Sequence, residues 1–143
     1  MEDYEEAFLA RYQDTEVLHL SSRQVAAMHF GGVTVECLLK SIIISNLPRG
    51  ASREWKTATN SPKHSTTHPG HDFQNALSRC NLLKERVQRC SEVKKWVDIV
   101  ENPQRHFIDM RYCGGEASED CYKQWLFAYK SLIGWLHKQA STL

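Results

Sequence analysis

The stretch from Arg23 to about Leu47 constrains the fold of this chain more than any other feature. Its apolar residues cover most of the circumference of a helix, which Pro48 and Gly50 then terminate. A helix of this kind must be covered on nearly all sides, so we expect it at the centre of a helical bundle. Its longest nearly apolar run, around Cys37 to Leu47, is shorter than the roughly 20 residues that span a bilayer. We therefore expect no membrane association.

Helical periodicity dominates the rest of the chain, and no strand-like alternation competes with it. The sequence predicts an all-α fold, an up-and-down bundle of four to five main helices, in a single domain covering 1–143. A long polar loop is expected at about 49–71. The other predicted helices are Asp3 to Leu18, Asp72 to about Cys90, a short one from Ser91 that leads through Pro103 to Tyr112, and Glu119 to about His137.

Several residues mark where these helices begin or come close to one another. Ser21 and Ser22 offer an N-cap for the central helix, and Asp72 and Ser118 offer caps for later ones. The adjacent glycines at 31 and 32 cost helix stability, so we expect either a close approach by a neighbouring helix or a kink at that point.

The net charge of +1 hides a segregation of charge along the chain. Residues 1–20 carry six acids and one arginine, whereas residues 49–95 carry ten bases and four acids. This pattern either steers an anionic partner to the middle of the chain or lets the two segments face each other, within the fold or across a dimer. The chain has five cysteines, an odd number, and none have Cys-x-x-Cys spacing, so we expect neither a disulfide framework nor a zinc ribbon. The N-terminus is acidic where a secretory signal would be basic and then apolar, which predicts a cytoplasmic protein.

Two groups of residues are candidates for chemistry. Glu36 and Lys40, four apart on the central helix, form either a structural ion pair or the lining of a polar cleft. Arg111 either grips a phosphate while Tyr112 stacks on a base, or satisfies Glu36 inside the bundle.

Three histidines in and next to the polar loop have a spacing that could wrap a metal ion, namely His64, His68 and His71. Asp72 alone could complete the ligand set, and its expected role is a helix cap. We therefore expect neither a metal site nor a cofactor.

Short motifs in the right order resemble HEPN domains. His29-Phe30-Gly31-Gly32-Val33-Thr34-Val35-Glu36-Cys37-Leu38-Leu39-Lys40 resembles the Gly-x-x-x-Glu-Cys-x-Leu-Lys helix of that family. His71-Asp72-Phe73 with Leu77 is similar to its His-x-Leu-x-x-Leu helix start, and Phe107 to Tyr112 to its Arg-Tyr helix end. The closing segment from Glu119 to Leu136 is similar to its last helix, so the resemblance covers roughly residues 23–137.

The resemblance implies a dimeric helical bundle that binds a nucleotide or RNA, often in a toxin–antitoxin or phage-defence system. A small nucleotidyltransferase is a possible partner. Many members are metal-independent ribonucleases with an Arg-x(4–6)-His motif near the last helix, but no histidine follows Arg111 at that spacing. Arg23 and His29 have the spacing, yet on one helix they would point about 120° apart, so we interpret this match as accidental.

These observations favour a non-catalytic binding module that takes a nucleotide, RNA or a protein partner. The expected ligand-binding residues are Glu36, Lys40, His71, Arg111 and Tyr112. One alternative is a metal-independent ribonuclease that uses His71 and Arg111. Another is a purely structural dimeric adaptor in which Glu36, Lys40 and Arg111 form an internal network.

Overall fold

The computed structural model describes residues 3–51 and 70–143, and all regular structure within these ranges is helical. The predicted all-α class is thereby confirmed. The elements are α1 (Tyr4–Leu20), α2 (Gln24–Ser45), α3 (Phe73–Leu77), α4 (Asn81–Arg89), α5 (Ser91–Glu101), a 3₁₀ helix (Phe107–Tyr112) and α6 (Glu119–Ala140). Most of the predicted polar loop at about 49–71 lies outside the described residues, as do His64 and His68.

The helix α2 occupies the centre, as its apolar circumference predicts. It packs against α1, α3, α5, α6 and the 3₁₀ helix. It is also the one helix among the described residues that is long and apolar enough to cross a membrane by length and composition. In the fold, however, 72% of its most apolar window is buried against the rest of the protein, which is the environment of a core helix.

The turn between α1 and α2 does not use its serines as predicted. Ser22 has a positive φ of 58°, its N–H bonds to the His19 carbonyl, and the Arg23 N–H bonds to the Leu18 carbonyl. These two hydrogen bonds form the Schellman motif, which closes the C-terminus of a helix. Ser21 and Ser22 therefore terminate α1, and the N-cap of α2 is Arg23, which makes no side-chain capping bond. The predicted serine cap is wrong because α1 uses both residues.

The predicted third helix is two helices, since the chain leaves the α-conformation between Leu77 and Asn81. The Ser78 hydroxyl donates to the Asn75 carbonyl at 2.6 Å, a local bond that competes with helix propagation. Cys80 is then extended, with φ −136° and ψ 90°. The break keeps both apolar stripes in the core, because Phe73 and Leu77 of α3 and Leu83 and Val87 of α4 are all buried.

The fourth predicted segment is likewise divided. The helix α5 ends at Glu101, and Phe107–Tyr112 forms a separate 3₁₀ helix. The side chain of His106 caps this 3₁₀ helix, because its Nδ1 accepts a hydrogen bond of 3.2 Å from the Ile108 N–H. The cap predictions at Asp72 and Ser118 are confirmed: each side chain accepts backbone N–H groups of the helix that follows.

Gly31 and Gly32 allow two elements to approach α2 closely. A Cβ at Gly31 would collide with Trp125 of α6, and one at Gly32 would collide with Phe107 of the 3₁₀ helix. The predicted close approach is therefore confirmed. Because Phe107 lies against the backbone of Gly32, the following residues of the 3₁₀ helix are held beside the first turns of α2.

Candidate functional site

An open cleft of about 620 Å³ lies between the start of α2 and the segment that follows the 3₁₀ helix. Arg23 and His29 line it from one side, and Arg111 and Glu116 line it from the other. We call this site the basic cleft and define it by Arg23, His29 and Arg111. Its lining contains two arginines and a histidine but only one glutamate. Positive charge therefore predominates, and the basic cleft suits an anionic ligand.

Local backbone structure positions each residue of the basic cleft. The Schellman turn presents Arg23 just before α2, where its side chain is exposed. His29 is held by a 2.8 Å hydrogen bond between its Nδ1 and the carbonyl oxygen of Phe107. Since a carbonyl only accepts, Nδ1 carries the proton in this bond, and Nε2 is the second nitrogen of the ring.

Arg111 and Tyr112 stand together at the end of the 3₁₀ helix. The guanidinium carbon of Arg111 lies 4.8 Å from the centre of the Tyr112 ring, a cation–π contact. Tyr112 is 71% exposed, which is unusual for an aromatic side chain and leaves a ring face accessible. The pair offers a charged group for phosphate beside a surface on which a base can stack.

A second polar cluster lies in the interior, between α2 and the start of α3. Glu36 Oε2 is 3.1 Å from Lys40 Nζ, and Glu36 Oε1 is 2.6 Å from His71 Nδ1. Lys40 also donates to the carbonyl oxygen of Gly70 at 2.8 Å. The side chains of Glu36 and Lys40 are only 10% and 7% exposed, so their charges are compensated by each other and by the Gly70–His71 segment.

The same segment is fixed from its other side by α5 and the 3₁₀ helix. His106 Nδ1 accepts from Ile108, so its Nε2 carries the proton and donates to the His71 carbonyl at 3.1 Å. Glu101 Oε2 accepts the N–H of Phe73 at 2.6 Å and lies 3.9 Å from His106 Nε2. We call these residues, together with Glu36, Lys40 and His71, the polar network.

Burial raises the pKa of Glu101 to about 7. The Phe73 N–H opposes this change because it stabilises the carboxylate, whereas the nearby charges of Asp72 and Asp98 add to it. Burial therefore favours the protonated form of Glu101 relative to an exposed glutamate. The polar network holds the residues that lead into α3.

The structure divides the sequence-predicted site residues between these two places. Glu36, Lys40 and His71 come together in the polar network, whereas Arg111 and Tyr112 lie at the surface by the basic cleft. Glu36 thus has Lys40 and His71 as its partners, while Arg111 is exposed at a different location.

Sequence reasoning missed four residues of these sites: Arg23, His29, His106 and Glu101. Arg23 and His29 were seen as a spacing match, but the expected divergence of 120° holds only within a helix, and Arg23 precedes α2. Both residues line one cleft. His106 gave no signal in the sequence, because its role depends on the 3₁₀ helix that it caps.

Within the described ranges, no three His, Cys, Asp or Glu side chains are grouped to hold a metal ion.

Comparison of the chain with protein-family models, with curated proteins and with solved structures gave no match.

Proposed function

We propose that the protein is a HEPN-like bundle that binds a phosphate-bearing ligand, a nucleotide or a short stretch of RNA, in the basic cleft. The observation that carries this proposal is that Arg23 and His29 at the start of α2 and Arg111 of the 3₁₀ helix line one open cleft. Its volume of about 620 Å³ is in the range of small-molecule sites, which run from about 300 to 1,000 Å³.

The chemistry of these residues suits a phosphate-bearing ligand. An arginine guanidinium presents a planar set of donors that matches two phosphate oxygens at once. The exposed ring of Tyr112 beside Arg111 adds a stacking surface, which a nucleotide uses and inorganic phosphate does not. Together they support recognition of a phosphate with its attached base.

In this proposal the polar network supports the fold and does not contact the ligand. Glu36, Lys40 and Glu101 are each buried, and each forms hydrogen bonds with neighbouring groups of the same chain. The resemblance further implies a toxin–antitoxin or defence setting and a small nucleotidyltransferase partner. These remain predictions that follow from the family likeness.

Fluorescence anisotropy with a labelled eight-nucleotide RNA, and titration with adenosine monophosphate, test ligand binding across a salt series. We expect Arg23→Gln and Arg111→Gln each to weaken RNA binding about tenfold, which corresponds to about 1.4 kcal/mol. Each loss of a phosphate contact should also reduce the salt slope by about 0.7. Arg89→Gln is the matched control, because Arg89 is 81% exposed on α4 and does not line the basic cleft. Equal affinities of the wild-type and cleft variants would refute the proposal.

One observation favours a second candidate function, a metal-independent ribonuclease. Because Nδ1 of His29 donates a hydrogen bond to the Phe107 carbonyl, Nε2 of the neutral ring can accept a proton. Arg111 lines the same cleft. In this reaction Nε2 takes the proton of a ribose 2′-hydroxyl as its oxygen attacks the phosphorus, and water protonates the departing 5′-oxygen. Arg111 stabilises the added negative charge.

Incubation with RNA in EDTA tests this alternative. An active enzyme releases fragments ending in a 2′,3′-cyclic phosphate, and His29→Asn abolishes their release while His71→Asn does not. Intact RNA after incubation with the wild-type protein would exclude the ribonuclease and leave the binding function in place.

A further inference from the structure

Ser22 departs from the residue preference of the turn that joins α1 to α2. Its φ is 58°, and among the described residues it is the one residue other than glycine with a positive φ. The hydrogen bonds of the Schellman motif fix its position in the turn, because the Ser22 N–H reaches the His19 carbonyl and the next N–H reaches the Leu18 carbonyl. Ser22 therefore occupies the left-handed position just after the C-cap, where glycine is the usual residue and asparagine the next.

A serine in this position has a cost that glycine avoids. In the left-handed region the Cβ of an L-residue comes too close to the following carbonyl oxygen, whereas glycine has no Cβ and adopts a positive φ freely. The other residues with positive φ in the described ranges, Gly50 and Gly70, are glycines. Ser22 thus reduces the stability of its own turn, and residues held in unfavourable backbone conformations are concentrated at functional sites.

The fold does not use the Ser22 hydroxyl. Within the described part of the chain this hydroxyl makes no hydrogen bond, and the turn is closed by backbone N–H groups alone. By contrast, Ser78 and Ser141, which also stand at helix C-termini, each donate their hydroxyl to a backbone carbonyl of their own helix, at 2.6 and 2.9 Å. A local hydrogen bond therefore accounts for the hydroxyl at those two positions and does not account for it at Ser22.

Ser22 lines the basic cleft, where an exposed hydroxyl has a use. It is exposed and lies directly before Arg23 in the chain, and both residues belong to the lining that Arg111 completes from the 3₁₀ helix. A serine hydroxyl donates one hydrogen bond, and the oxygens of a phosphate are acceptors. The neutral hydroxyl and the guanidinium of the next residue thus form a pair of adjacent donors at one end of the cleft.

We propose that Ser22 is a ligand-binding residue of the basic cleft, whose hydroxyl donates to a phosphate oxygen of the ligand that Arg23 holds. This inference rests on the proposed function, since it concerns the same ligand, and it adds a contact that the arginines do not supply. It also explains why the turn has a serine where its backbone favours glycine, because a glycine would stabilise the turn but could not donate this bond.

Three substitutions separate the hydroxyl from the backbone, with thermal unfolding and calorimetric titration of adenosine monophosphate as the two measurements. Ser22→Gly removes the hydroxyl and the crowded Cβ, so we expect a melting temperature about 3–5 °C higher together with about tenfold weaker binding. Ser22→Ala removes the hydroxyl alone, so we expect the same loss of binding with no rise in melting temperature. Ser21→Ala is the matched control, because Ser21 is the exposed C-cap next to Ser22 and does not line the basic cleft. It should change neither quantity.

The outcomes distinguish failure of this contact from failure of the proposed function. Wild-type affinity in Ser22→Ala would overturn the inference, and weaker binding in Ser22→Gly alone would mean that the serine acts by restricting the turn. A melting temperature that Ser22→Gly does not raise would overturn the argument from the backbone. If Arg23→Gln weakens binding while Ser22→Ala does not, the Ser22 contact alone is refuted. If the wild type does not bind adenosine monophosphate, or Arg23→Gln binds it equally well, the proposed function is refuted together with the contact.

Discussion

The buried carboxyl of Glu101 makes the stability of this protein depend on pH in a calculable way. Its folded-state pKa is raised from 4.5 to about 7, chiefly by burial. Below pH 4.5 the carboxyl is protonated in both the folded and unfolded states and has no differential effect. Between about 4.5 and 7 the folded protein binds a proton that the unfolded chain does not, so the free energy of unfolding falls as the pH rises. The total loss is about 3 kcal/mol, reached above the folded pKa.

Replacement of Glu101 by glutamine should remove this loss. The amide oxygen can still accept the Phe73 N–H, which the carboxylate accepts at 2.6 Å, but the side chain no longer acquires a charge. Relative to the wild type, we expect Glu101→Gln to become progressively more stable from pH 5 to pH 8.5, by up to about 3 kcal/mol.

Urea unfolding followed by circular dichroism at several pH values measures this difference. Glu119→Gln is the control, because the Glu119 side chain is 79% exposed. We expect its stability relative to the wild type to change little over the same range. A difference between Glu101→Gln and the wild type that stays constant with pH would refute the reasoning, since it would mean that burial does not shift the titration of Glu101.

Two further predictions concern the core of the bundle. Glu36→Ala leaves Lys40 buried without its carboxylate, so we expect a loss of about 3–5 kcal/mol in urea unfolding, and a loss below about 1 kcal/mol would contradict the role assigned to the pair. Gly32→Ala forces a methyl group against Phe107, so we expect a lower melting temperature. At Gly134 an added methyl group would meet no atom within 4 Å, so we expect Gly134→Ala to stabilise the fold by about 1 kcal/mol. Calorimetry of both glycine variants measures their melting temperatures. Melting temperatures that shift equally and in the same direction would contradict the prediction.

Features that depend on local spacing could be predicted from the sequence. The central position of α2, the caps at Asp72 and Ser118, and the ion pair of Glu36 with Lys40 each follow from residues a few positions apart. The helix breaks were harder to predict, because they depend on competing local bonds. At Ser78 a side-chain hydroxyl captures a backbone carbonyl, although the apolar stripe continues unbroken through the sequence.

The two sites depend on contacts between distant residues, which the sequence did not reveal. His71 reaches Glu36 only because the chain returns to α2 before α3, and Arg111 reaches the start of α2 only because Gly32 admits Phe107. Arg23 is the N-cap that precedes α2, and it lines the same cleft as His29. The 120° separation expected of residues six apart applies to two positions within one helix.

The central claim is that the basic cleft binds the phosphate of a nucleotide or RNA. Titration of ¹⁵N-labelled protein with adenosine monophosphate, followed by amide chemical shifts, locates the binding site directly. We predict saturable shifts concentrated around Arg23, His29 and Arg111, and much smaller ones around Glu36 and Glu101. The absence of saturable shifts, or their concentration in the polar network, would contradict this account.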